Sequence, residues 1–165
     1  MKTVDAVPFG DRMVGREFPV LIIAEIGINH EGDVDACARM ITAAARAGAD
    51  AVKLQTSDAD EAYHPDSPSY AVFKSAALTR DETAKMFDLA RELGIEIFST
   101  AGDMESFDFI ENLTPAAHKI SSGLMANTPM LRRAAKTDRS ILMSTGIGMS
   151  DEIRDPDDRK SKERF

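Results

Sequence analysis

"VLIIAEIGINHEGDVDACARMITAAARAGADAVKLQT", residues 20 to 56, holds two near-continuous apolar runs separated by a segment of helical period. The runs are VLIIAEI (20 to 26) and AVKLQT (51 to 56). Apolar stretches of this length suit strands buried on both faces, as in a parallel sheet. Between them Val34, Cys37, Ala38, Ile41 and Ala45 recur at helical spacing, and Gly48 supplies a C-terminal stop. The stretch therefore predicts one strand–helix–strand unit with the helix packed back on the sheet.

The same rhythm continues downstream with IEIFST (95 to 100), AHKISS (117 to 122) and SILMST (140 to 145). Thr79 to Glu82, TRDE, has the form of a capping box. The apolar stripe Met86, Leu89, Ala90 and Leu93 follows it, and Gly94 closes that helix. Asp103 opens a helix carrying Phe107, Ile110 and Leu113. Thr128, with Pro129 at the first helical position, opens one carrying Leu131 and Ala134. Residues 57 to 78, SDADEAYHPDSPSYAVFKSAAL, predict a long functional loop with one short apolar turn. Alternation of this kind permits a doubly wound sheet or a (β/α)8 barrel. No GxGxxG or P-loop follows the first strand, which weakens the nucleotide-binding sheet. A full barrel takes eight strands and ~250 residues. The expectation is thus an α/β chain of the TIM-barrel family, a partial barrel of about five βα units over residues 1 to 153. Residues 154 to 165, polar and broken by Pro156, are expected to form a disordered tail.

Composition narrows the function. The chain has 165 residues, 43% hydrophobic, enough for one core. A net charge of -8 and a pI near 4.9 argue against a nucleic-acid or anionic-membrane surface, which needs clustered Lys and Arg. No run approaches the ~20 apolar residues of a membrane span, and the N-terminus lacks the apolar stretch of a secretory signal. With a single cysteine, Cys37, no intramolecular disulfide forms, and a soluble, cytoplasmic protein is expected. Cys37 sits on a helix's apolar stripe as a packing residue, and Met86, Met130 and Met143 read as core filler. His30, His64 and His118 lack metal-ligand spacing.

Each apolar run turns polar at its C-terminal end: Glu25; Lys53 and Gln55; Ser99 and Thr100; Lys119, Ser121 and Ser122; Ser144 and Thr145. In a barrel these ends converge on the face where active sites are built. Period-two alternation places Lys53 and Gln55 on one face and Glu25 with Leu21 and Ile23. Two ammonium groups among hydroxyl donors make a receptor for a compact dianion such as a phosphorylated carboxylate, with Glu25 opposite, towards a neutral hydroxylated co-substrate. Plainer roles exist for the same residues. A strand-end lysine can snorkel or pair with a nearby acid, Glu25 can serve a structural ion pair, and serines at strand ends form turns.

IIAEIGINHEGD, GADAVKLQT, LGIEIFST, HKISSG and ILMSTG, in this order, resemble the N-terminal barrel of the sialic acid synthases (N-acetylneuraminate synthase, NeuB-like) over residues 17 to 153. The resemblance implies a transferase that condenses phosphoenolpyruvate with an N-acetylated amino sugar to a nonulosonic acid and releases phosphate. It implies that Lys53, Thr100, Lys119, Ser122 and Ser144 hold the phosphate and carboxylate of phosphoenolpyruvate. Glu25 would contact the sugar and Gln55 would lie on the sugar side, Glu25, Lys53 and Lys119 would be the catalytic residues, and Asn29 would be a further substrate-binding residue. It also implies a homodimer and a divalent metal, manganese or magnesium, whose histidine ligands are expected on later strands. The 165 residues alone are then expected not to turn over. STAGD (residues 99 to 103) and SGL (122 to 124) depart from the family's STPFD and SGE or SGD, with Ala101, Gly102 and Leu124 reshaping the sugar pocket. Two rival readings are a Schiff-base aldolase with Lys119 as nucleophile and a non-catalytic half-barrel that pairs its open sheet edges with another chain.

Overall fold

The computed structural model describes residues 5 to 148, and the tail expected at 154 to 165 lies outside them. Five parallel strands form the central sheet: β3 (Ile23–Gly27), β4 (Ala51–Thr56), β5 (Glu96–Ala101), β6 (His118–Ile120) and β7 (Ile141–Met143). They are hydrogen-bonded in chain order, β3-β4-β5-β6-β7. A doubly wound sheet reverses its strand order at a switch point, whereas successive neighbours in one direction are the barrel arrangement. That order decides between the two architectures the sequence left open.

Helices α1 (Val34–Arg46), α4 (Arg80–Glu92), α5 (Met104–Asn112) and α6 (Thr128–Ala134) follow four of the strands. Their starts are local chemistry. Asp33 caps α1 by accepting from the backbone N–H groups of Asp35 and Ala36. Thr79 and Glu82 close a reciprocal capping box on α4, and Asp103 caps α5 through Ser106 N. Gly48 and Gly94 turn the chain at φ +82° and +67° just past α1 and α4, where a Cβ would strain the backbone.

The two faces of the sheet bury different partners. On the outer face Val52, Leu54 and Ile97 pack against Cys37 and Ile41 of α1 and Met86, Phe87 and Ala90 of α4, the main core. On the inner face Ala51, Phe98 and Ala117 pack around Phe9. Phe9 belongs to an antiparallel hairpin, β1 (Ala6–Phe9) and β2 (Arg12–Gly15), and its ring meets Phe98 edge-on at 5.3 Å. The hairpin is anchored at the N-terminal ends of the strands: Arg12 pairs with Asp50, and Asp11 N donates to Glu96 Oε1 at 2.9 Å. It therefore floors the half-barrel. The sequence reading did not anticipate it.

Four further expectations are corrected. The first apolar run becomes a strand only at Ile23, because Asp50 captures Ile22 N at 2.7 Å and leaves Val20 and Ile22 exposed. Residues 57 to 78 form not a loop with one turn but two helices, α2 (Ala59–Ala62) and α3 (Pro68–Ala76). Asp58 and Ser67 cap them, and Tyr63 stacks on Phe73 at 4.7 Å. The cap of α6 is Asn127 rather than Thr128, since the Asn127 amide oxygen accepts from Met130 N at 3.1 Å. Met86 and Met130 are buried, but Met143 is exposed on the edge strand β7.

Candidate active site

Parallel pairing sets the site. The register aligns Glu25 of β3 with Lys53 of β4 and Phe98 of β5. Two residues further on, Gln55 aligns with Thr100 of β5, Lys119 of β6 and Leu142 of β7. Residues aligned in a ladder, and residues two apart along a strand, share a face. Glu25, Lys53, Gln55, Thr100 and Lys119 therefore all point to the inner face, above the Phe9 and Phe98 layer.

Lys53 is buried and donates to Glu25 Oε1 at 2.7 Å, with a longer contact to Leu54 O at 3.3 Å. Lys119 donates to Ser144 Oγ at 2.7 Å and to Ile120 O at 2.9 Å. Burial pushes the Lys119 ammonium below the usual lysine range, the positive charge of Lys53 pushes it the same way, and Glu25 opposes both. The three charged groups thus share one electrostatic environment, with two cations and one anion. Thr100 is buried on the same rung as Lys119.

Other candidate residues sit differently. Ser122 opens a 3-10 turn (Ser122–Leu124), and a methyl group built on Gly146 would lie 4.0 Å from its Oγ, so it borders the loop after β7 beside Ser144. Asn29 is folded onto its own turn, donating to Ile26 O at 2.8 Å, and lines a cavity of about 450 Å³ with Glu31, Val72 and Ser75 beside α3. Among the described residues no hydrogen bond joins it to the lysines, whereas Gln55 shares their face. Ser99, paired with Thr100 in the sequence reading, points to the outer face and shares a hydrogen bond with Thr56 at 2.8 Å.

Gly27 is a site residue that the sequence reading passed over. Its φ is +57°, and a Cβ there would come 3.1 Å from Glu25 Oε1. The signal was present as the glycine that directly follows the apolar run 20 to 26 and ends β3. Asp33, His30 and Gly32 then fold the rest of the turn: His30 is buried and its Nδ1 accepts from Gly32 N at 3.2 Å.

A divalent metal needs three or more clustered donors. Among the described residues no group of three His, Cys, Asp or Glu side chains could hold one. His30 is committed to its turn, and His118 lies outside the inner face, stacked on Phe107 at 4.4 Å with Nε2 3.0 Å from Glu111. The described residues do not by themselves make a site for the metal that the resemblance implies, whose histidine ligands are expected on later strands. Among the described residues no helix is long and apolar enough to cross a membrane.

Sequentially ordered parallel βα units, with charged groups converging at the C-terminal strand ends, define this chain as part of an α/β barrel of enzyme type. A sequence model of the NeuB family matches residues 40 to 158, and the chain belongs to that family. It is 34% identical over 154 residues to the N,N'-diacetyllegionaminic acid synthase of Legionella pneumophila, covering 85% of this chain and 43% of that protein. It is 31% identical over 156 residues to the N-acetylneuraminate-9-phosphate synthase of Mus musculus, covering 87% and 44%. A solved N-acetylneuraminic acid synthetase from Leptospira borgpetersenii, in complex with citrate, superposes with a TM-score of 0.86 at 28% identity, covering 92% of this chain and 53% of that one. The chain spans less than half the length of the curated relatives it matches.

Proposed function

We propose that this chain carries the anion-binding side of a nonulosonic acid synthase site, for the condensation of phosphoenolpyruvate with an N-acetylated amino sugar. The observation that supports it is the placement of Lys53 and Lys119 on one inner face within electrostatic reach of each other. Two ammonium groups there match the charge of a phosphorylated carboxylate, and the hydroxyls of Thr100, Ser122 and Ser144 supply neutral donors around it. Glu25 and Gln55 occupy the adjoining part of that face, and Asn29 the turn beside it, as sugar-side contacts.

In the reaction the methylene carbon of phosphoenolpyruvate bonds to the aldehyde carbon of the open-chain sugar. Water adds at the enol-phosphate carbon, and cleavage of the C–O bond releases phosphate. The lysines hold the phosphate and carboxylate so that the enol face is presented in a fixed direction. The Glu25 carboxylate accepts a hydrogen bond or proton from the sugar as its aldehyde is exposed. Residues beyond this chain's span would complete the site, and the 165 residues by themselves are proposed to bind rather than turn over.

Titration calorimetry with phosphoenolpyruvate tests this. Binding by the chain, lost in Lys119→Ala with the fold intact, is the expected result; equal heats from both proteins would overturn the assignment. The lowered affinity of Lys119 for its proton also favours a second reading, imine formation with a carbonyl substrate. Borohydride trapping of an adduct on Lys119 would favour that reading over the synthase.

A further inference from the structure

We infer that Glu25 is an internal counter-ion that an arriving anion must displace from Lys53, so that filling the anion side of the site and freeing the Glu25 carboxylate are one event. This rests on the anion-site reading above and adds a rule of occupancy to it.

The two lysines are not equivalent in the unliganded chain. Lys119 is held by two neutral oxygens, Ser144 Oγ and Ile120 O, and Glu25 acts on it only at longer range, without contact. Lys53 is held by a carboxylate at 2.7 Å, and its remaining contact, Leu54 O at 3.3 Å, is long. A dianion that engages both ammonium groups would be brought beside Glu25, and two anions sharing one cation repel. One of them must leave.

Burial decides which. The Lys53 side chain is 11% exposed and the Glu25 side chain 58% exposed. Lys53 is fixed inside the sheet, while Glu25 sits on β3, the outermost of the described strands, and its side chain is largely exposed. Gly27, without a Cβ, leaves space immediately behind the carboxylate. Displaced, Glu25 becomes an unpaired acceptor next to the filled anion site, which is the state a hydroxylated co-substrate would meet.

The test is the affinity of the chain for phosphoenolpyruvate and for inorganic phosphate, measured by calorimetry for wild type, Glu25→Gln, Glu25→Ala and Glu31→Gln. Circular dichroism melts check that each variant folds. Glu31 is an exposed carboxylate on the neighbouring turn with no part in the Lys53 pair. Displacement predicts that both Glu25 variants bind the anions about tenfold more tightly. Glu31→Gln should stay within about twofold of wild type, because exposed charges at longer range are screened. Equal affinity in wild type and the Glu25 variants, or equal tightening in Glu31→Gln, would overturn displacement while leaving the anion site standing. Failure of wild type and all variants to bind either anion would remove the anion site, and displacement with it.

Discussion

Lys53 and Lys119, separated by the whole of β5, share one face of the sheet yet are held by different oxygens: Glu25 carboxylate at 2.7 Å for the first, Ser144 hydroxyl at 2.7 Å for the second. Lys53 is in direct contact with a carboxylate, whereas Glu25 reaches Lys119 only at longer range. The proton on Lys119 is held less firmly than on an ordinary lysine, through burial first and the charge of Lys53 second, with Glu25 opposing both.

Anion binding should therefore fail early on the alkaline side. Lys119 binds an anion only as the ammonium, and its titration falls below the ordinary lysine value of 10.5. Affinity for phosphoenolpyruvate is expected to decline as pH rises towards, and before reaching, that value. Calorimetry across the alkaline range checks this. A profile unchanged up to 10.5 would contradict it, and Lys119→Arg, which stays charged, should flatten the decline.

Gly27→Ala should destabilise the chain by about 1–2 kcal/mol, the cost of placing a Cβ in the left-handed region. Its φ is +57° and the added methyl would press on Glu25 Oε1 at 3.1 Å. Gly27→Asn should cost less, because Asn tolerates that conformation. Urea titration of the two variants gives the ranking, and a larger loss for Asn than for Ala would refute the conformational argument.

Phe9→Ala should cost about 3–5 kcal/mol, as for other large aromatic side chains removed from a core. Phe9 is 1% exposed and forms the centre of the inner-face cluster with Ala51, Phe98 and Ala117. Val7, on the same hairpin but exposed, serves as the control, and Val7→Ala should change stability little. Comparable losses for both would mean that the hairpin does not floor the sheet.

Acid should weaken the fold through His30 and His118. Both are buried, and burial is the largest cause holding each below its ordinary value of 6.5. The unfolded chain then takes up protons near pH 6.5 that the native state refuses, so stability is present above that pH and falls as pH drops through it. Urea midpoints between pH 7 and 5 should decrease in the wild type. The decrease should be smaller in His30→Gln, and an unchanged slope would exclude His30 as a contributor.

Much of the scaffold was legible because its signals are local. The Thr79 and Glu82 box, the Asp33 and Asp103 caps, and glycines 48 and 94 each act within one helical turn, so a few neighbouring residues define them. The two helices between Ser57 and Leu78 were missed because their apolar stripes are short. Their stability comes from contacts such as Tyr63 on Phe73, not from a long periodic pattern. The hairpin was missed for a related reason: its anchors Asp50 and Glu96 lie far along the chain from Arg12 and Asp11.

By itself, the sequence determined that this chain is built of parallel βα units and that charged and hydroxyl groups gather at the strand ends, since hydrophobic period and capping chemistry are properties of adjacent residues. Which of those groups meet was decided only by the tertiary structure. A strand's side chains alternate, so a shift of one residue in register sends every group to the opposite face. That parity turns Thr100 towards Lys119 and sends Ser99 to Thr56 on the far side. The same register sets Glu25 directly against Lys53, so the feature that most constrains the site, a cation already occupied by its own carboxylate, arises only when the strands pair.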